Sequence, residues 1–263
     1  EKMVELEADR MQGLLFDPQV LESERGVVAS ERRMSVENNN EAILYENVRA
    51  TAIMAHPYHW DVIGWMSDIL GWRPDDIKQY YQTYYAPNNA VLVVVGDFES
   101  SKLMELIKKY YGPIPAQSPP PPIITVEPPQ QGRKEVVVRK EAQTPSFMVV
   151  YHGPACTSPD FFALSILQKP LVEGESSRLY RRLVRQEQLA LSVSGGIEEK
   201  IDPFLFMIEV KPRPGVDLTR IEKIIDEELA KIIQEGLTET EFEKARNIGL
   251  SSFYFGLQTN SGK

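Results

Sequence analysis

Residues 90–111, AVLVVVGDFESSKLMELIKKYY, carry the reading of the fold. From Ala90 to Val95 the chain is aliphatic without interruption and mostly β-branched, and Gly96-Asp97 closes the run. That composition predicts a strand buried on both faces. Beyond it Leu103, Leu106, Ile107 and Tyr110 recur at helical intervals, with Ser100 or Ser101 placed to cap the helix they form. The same order returns further on, where LFMIEVKP (205–212) is followed by LTRIEKIIDEELAKII (218–233). A strand followed by an amphipathic helix, twice, predicts an α+β protein of two related α/β-layer repeats, each an antiparallel-rich sheet packed with helices.

Between the two copies lies PIPAQSPPPPIITVEPPQQG (113–132), a proline-rich connector that should be extended and semi-rigid. The expected division is 1–115, 116–133 as linker, and 134–263. Upstream, helical spacing covers 1–15, and a long helical stretch runs from Pro18 to about Ala55. Asn38-Asn39-Asn40 weakens that stretch without ending it. Downstream, 135–140 and 147–152 read as neighbouring strands, and Leu191–Gly196 and Leu205–Lys211 as two more. Ser158-Pro159 opens one helix, and Thr238 with Glu241 forms a capping box for the last.

The chain has 263 residues, enough for one large domain or two of ordinary size. A net charge of −9 argues against nucleic acid or anionic lipid as the main partner. No apolar run approaches the ~18–20 residues that span a bilayer, so no transmembrane segment is expected. Cys156 is the sole cysteine, which rules out an intrachain disulfide and a thiolate metal cluster. The compartment stays open, with bacterial periplasm and cytoplasm both allowed. The first residues are charged and helical, unlike a signal or transit peptide, and the chain is expected to be a piece of a longer one.

The chemistry is concentrated in LESERGVVASERRM (21–34). Glu24 and Glu31 are seven residues apart, which at 100° per residue returns both carboxylates to one helix face. Val27, Val28 and Met34 lie near that bearing, so Glu31 is expected at or beneath a packed surface. A carboxylate there would need a cation, a donor or a proton. A metal ion is one answer, and a solvated face bearing two ordinary glutamates is the other. The histidines are His56, His59 and His152. His56-x-x-His59 spans a Pro-Tyr turn and is a poor zinc site by itself, and His152 ends a strand. No phosphate-binding loop, dinucleotide fingerprint or nucleophile elbow occurs. Arg178, Arg181, Arg182 and Arg185 read as a solvated basic helix, and Cys156 as a structural thiol.

The segments ADRM, ESERGVVASERRM, HPYHWDVIG and YYQTYYAPNNAVLVVVGDF, in this order and spacing, resemble the insulinase/pitrilysin family of zinc peptidases. GESSRLYRRLVRQEQLALSVSGG resembles the second repeat of the same family. The resemblance implies that 1–115 is the C-terminal part of a first metallopeptidase repeat, incomplete at its N-terminus. It makes 134–263 a second repeat, truncated at its C-terminus. It implies zinc as cofactor, with Glu31 as third ligand and Glu24 as supporting carboxylate. It further implies a peptide or unfolded-protein substrate and a second metallopeptidase half, fused or separate. The family's two histidine ligands and its general base come from His-x-x-Glu-His, which does not occur in these residues. The chain as given is therefore expected to be inactive alone and not to retain zinc. An arginine and a tyrosine that act in the zinc-free half of such enzymes fall here on Val184 and Leu191, which donate nothing. Two functions remain in view: part of a zinc-bearing half of a metalloendopeptidase, or a non-catalytic subunit of that fold serving assembly or peptide binding.

Overall fold

The computed structural model describes residues 1–263, which separate into two compact units. The first comprises Glu1–Ser35, Val62–Thr125 and Leu257–Lys263. It is helical: α1 (Lys2–Arg10), α2 (Pro18–Arg32), α4 (Met66–Gly71), α5 (Pro74–Tyr84) and α6 (Ser100–Tyr110). Asp17 caps α2, its carboxylate accepting from the N–H groups of Gln19 and Val20 at 2.8 and 3.2 Å, with Pro18 in the first turn where its missing N–H costs nothing. Tyr81 joins α5 to α1 by donating its hydroxyl to the Arg10 carbonyl at 2.6 Å, and Phe16 packs edge-on against its ring.

The second unit comprises Val36–Asp61 and Val126–Gly256. It holds α3 (Asn40–Ala52), β1 (Phe147–His152), α7 (Pro159–Val172), a π-helical turn (Tyr180–Gln186), β2 (Ala190–Ile197), β3 (Leu205–Pro212), α8 (Leu218–Glu235) and α9 (Glu239–Gly256). The strands form one antiparallel sheet in the order β1-β3-β2, with Val149 opposite Ile208 and Val193 opposite Val210. Alternation along the central strand turns Phe206, Ile208 and Val210 to one face. There they meet Ile221, Ile224 and Ile225 of α8 and Leu171 and Val172 of α7 in the main core. Leu205 and Met207 turn to the other face, against Ala52, Ile53 and Tyr58. Gly195 is obligatory in β2: its φ is +153°, and a Cβ would lie 2.2 Å from the Met207 carbonyl oxygen.

The mixed helix and antiparallel-sheet class is as read from the sequence, and three local expectations are corrected. Residues 90–95 form no strand and are exposed, Val91 at 91% and Val93 at 74%. β-Branched side chains supply propensity, but a strand exists only beside another, and no strand lies in the first unit. Residues 135–140 likewise carry no ladder; Lys134 and Lys140 instead tie their ends to Thr51 of α3 and to Glu37 ahead of it, donating to both carbonyls at 3.0 Å. The asparagine tract does end a helix. A π-helical turn (Arg33–Glu37) follows α2, and Asn39 then caps α3, accepting from Glu41 and Ala42 at 3.0 and 3.2 Å. The short polar side chain offers the backbone N–H groups a better partner than a continuing helix would.

Candidate metal centre

Helix α2 presents two stripes that differ by one residue and therefore by about 100°. One carries Leu21, Arg25, Val28, Ala29 and Arg32, and this is the covered stripe, Ala29 and Arg32 being buried. The other carries Glu24, Val27, Glu31 and Met34, all exposed, with Val27 at 54% and Met34 at 75%. Glu24 and Glu31 do share a face, as their spacing requires. The expectation that Glu31 lies at or beneath a packed surface is overturned: packing takes the neighbouring stripe. Neither carboxylate has a hydrogen-bond or ion-pair partner in the chain. The burial argument for a counter-ion accordingly falls away, and the two acids are available rather than needy.

What holds the helix in this rotation is a pair of arginines with the same seven-residue spacing. Arg25 donates through Nη1 to the carbonyls of Ile69 and Leu70 at 3.0 and 3.1 Å, and its guanidinium lies 4.2 Å from the centroid of Trp72. Its Nε also donates to Glu22 at 2.9 Å. Arg32 donates through Nη1 to the Gly64 carbonyl at 2.5 Å and lies 5.4 Å from the centroid of Trp65. Gly64 is left-handed, with φ of +70°, a conformation other residues adopt only at a cost of about 1 kcal/mol. Sequence reading missed this clamp, although the repeat of Glu-Arg at 24–25 and 31–32 and of Gly-Trp at 64–65 and 71–72 was its visible trace.

The histidines are committed elsewhere, in the second unit. His56 accepts from the Tyr58 N–H through Nδ1 at 3.2 Å, and its Nε2 faces Asp202 at 3.5 Å. His152 Nε2 lies 3.1 Å from the Ala52 carbonyl, and His59 packs on Trp60. No three His, Cys, Asp or Glu side chains gather as a metal site. A single oxygen donor does not complete a zinc site, which takes three protein ligands and an open position. Glu31 fits the part of one such donor, being ionisable, unpartnered and rigidly backed, with Glu24 one helical repeat away.

The basic stretch is not solvated in full. Arg178 forms a two-pronged pair with Glu241, both bonds at 2.7 Å, and this guanidinium holds the Glu241 carboxyl at about 2. Arg182 binds Glu227 and Glu228 of α8. These pairs tie the π-helical turn to α8 and the residues just before it to α9, so they serve the fold. In the same unit a hollow of about 280 Å³ is lined by Tyr45, Met148, Gln168, Glu198, Met207 and Glu209. Its polar groups partly satisfy one another, Tyr45 donating to Glu198 at 2.9 Å.

Residues 71–248 match the family model described as the peptidase M16 inactive domain. The chain is 33% identical over 264 residues to the zinc protease PqqE of Helicobacter pylori, covering 99% of this chain and 60% of that protein. A crystal structure of a protease from Helicobacter pylori superposes with a TM-score of 0.91 at 33% identity, covering 99% of this chain and 64% of that one. The first half of the periplasmic protease PqqL from Escherichia coli shares the fold, with a TM-score of 0.69 at 19% identity over 100% of this chain and 57% of that one. The chain thus spans roughly three-fifths of the PqqE relative it matches. No helix is long and apolar enough to cross a membrane.

Proposed function

The chain belongs to the peptidase M16 (insulinase/pitrilysin) family, and from that premise we propose that it forms part of the zinc-bearing half of a metalloendopeptidase acting on extended peptides. The observation that carries this reading is Glu31, an unpartnered carboxylate on a helix fixed in rotation, in the sequence setting where the family keeps its third ligand. In the proposal Glu31 gives one oxygen ligand, and two histidines and the general base come from residues outside these 263. Zinc, when bound, supplies the Lewis acidity that activates water for attack on a peptide carbonyl. Glu24 orients Glu31 or its neighbours through the second coordination sphere. Residues 1–115 and 134–263 are two repeats joined by the proline-rich linker 116–133, and a second half, fused or separate, completes the chamber. The chain alone neither retains zinc nor cleaves peptides.

The test is Glu31→Gln in the full-length protein, with zinc content and peptide hydrolysis measured together. The expected outcome is loss of both; full occupancy with normal turnover would refute the assignment. For Glu24→Gln zinc stays bound and turnover falls roughly 10- to 100-fold. A second reading, a non-catalytic subunit used for assembly or peptide binding, is favoured by the match to an inactive domain; Val184 and Leu191 suit this reading and a zinc-bearing half equally. Zinc binding by the full-length protein separates the two readings.

A further inference from the structure

We propose that Arg25 and Arg32 are positioning residues for the metal centre, setting the direction in which Glu31 and Glu24 point. The inference rests on the reading of Glu31 as a zinc ligand. Its own basis is geometric. Arginine is a costly residue for the covered stripe of a helix, because desolvating a guanidinium requires that its donors and its face be satisfied. Arg25 gives Nη1 to two carbonyls and Nε to Glu22, Arg32 gives Nη1 to the Gly64 carbonyl while its Nε makes no hydrogen bond, and an indole takes the cationic face of each. Neither arginine depends on the carboxylate that precedes it, so Glu24 and Glu31 are left unneutralised although a guanidinium follows each in sequence.

The two contacts act at points seven residues apart along α2, about 10 Å at 1.5 Å per residue. A helix pinned twice on one stripe can neither roll nor slide, so the stripe 100° away is fixed as well. An apolar stripe packed on α4 would tolerate small rotations, because dispersion has little directional preference. Bonds to the Ile69, Leu70 and Gly64 carbonyls do not, since they weaken steeply off line. A metal ligand held only by its own helix needs such an anchor, as ligand placement must be good to about 0.5 Å.

The experiment uses the full-length protein, with Arg32→Lys, Trp65→Leu and Arg25→Lys beside Glu31→Gln. Zinc affinity is measured by competition with a chromophoric chelator, ligand geometry by the visible spectrum of the cobalt-substituted protein, and folding by the melting temperature of the metal-free protein. Arg32→Lys and Trp65→Leu are expected to weaken zinc roughly 10- to 100-fold and to alter the cobalt spectrum, while the metal-free protein still melts cooperatively, Trp65→Leu with the smaller fall in melting temperature. Arg25→Lys acts in the same sense and less strongly, being a full helical repeat from the ligand. If Glu31→Gln weakens zinc while the arginine and tryptophan variants bind zinc and cobalt as the parent does, the positioning role is wrong and the ligand reading stands. If Glu31→Gln leaves zinc affinity unchanged, or the full-length protein binds no zinc, the ligand reading fails and the positioning role fails with it. Should Arg32→Lys not fold, the half-exposed Trp65 provides the deciding variant.

Discussion

Two acids of the first unit, Glu24 and Glu31, are treated in the opposite way to three acids of the second. In the second unit Glu127, Glu228 and Glu241 are each surrounded by donors. Glu127 accepts from three successive backbone N–H groups, those of Met54, Ala55 and His56, at 2.7, 2.8 and 3.0 Å. Glu228 accepts from Arg182 and Lys231 at 3.0 Å each, and Glu241 takes Arg178 together with the Thr238 N–H and hydroxyl. In the first unit Glu24 and Glu31 have nothing, while the arginines beside them turn Nη1 to carbonyls and Arg25 turns Nε to Glu22. Where acid and base meet, the fold is being held; where they are kept apart, the acid stays exposed and unneutralised.

Acid titration should expose this contrast most strongly. Arg178, with the Thr238 N–H and hydroxyl, lowers the Glu241 carboxyl to about 2 from an ordinary 4.5. Burial raises Glu127 and Glu228, yet backbone donors in one case and Lys231 with Arg182 in the other leave both below the usual range. A carboxyl whose pKa is lower folded than unfolded contributes stability above its unfolded value and loses it as pH falls towards the folded one. Protection of β3 and α8 from hydrogen exchange should therefore fall progressively from about pH 5 towards pH 2. Undiminished protection at the low end would mean that these pairs carry no weight.

Arg178→Ala comes next. Removing one partner of a largely covered pair leaves Glu241 short of its cation, and a loss of about 3 kcal/mol is expected in denaturant melts. For Glu127→Gln the amide keeps one acceptor oxygen for three donors, costing about 1–2 kcal/mol and loosening exchange at 54–56. Glu24→Gln and Glu31→Gln are the smallest in this respect, within about 0.5 kcal/mol of the parent chain's stability. A larger loss at either glutamate would show that it has a partner within the fold.

Much of the local grammar could be read before any coordinates. Ser158-Pro159 begins α7 and Thr238 with Glu241 begins α9 because capping acts over three residues, and the sequence contains all of it. Phe147–His152 was legible as a strand, and so was the face shared by Glu24 and Glu31. Apart from the Asn39 cap, which is local, the misreadings share a cause: they concern partners far away in sequence. Residues 90–95 have the composition of a strand and lack a neighbour to pair with. The covered face of α2 was assigned to Val27, Val28 and Met34 because they are apolar, whereas only Val28 of these is partly covered and the face is claimed by Arg25 and Arg32, whose carbonyl and indole partners lie more than thirty residues on. The clamp of Glu127 on 54–56 spans more than seventy.

The setting of Glu127 has one more effect. An acid in a loop often folds back on the amide groups just after it, and there Pro128 and Pro129 follow, with no hydrogen to offer. The nearest rival donors are thus deleted, and residue 127 is confined to extended backbone by the ring that follows it. The two amides nearest the Glu127 charge are missing, and so its grip on the 54–56 turn meets less competition from within the connector.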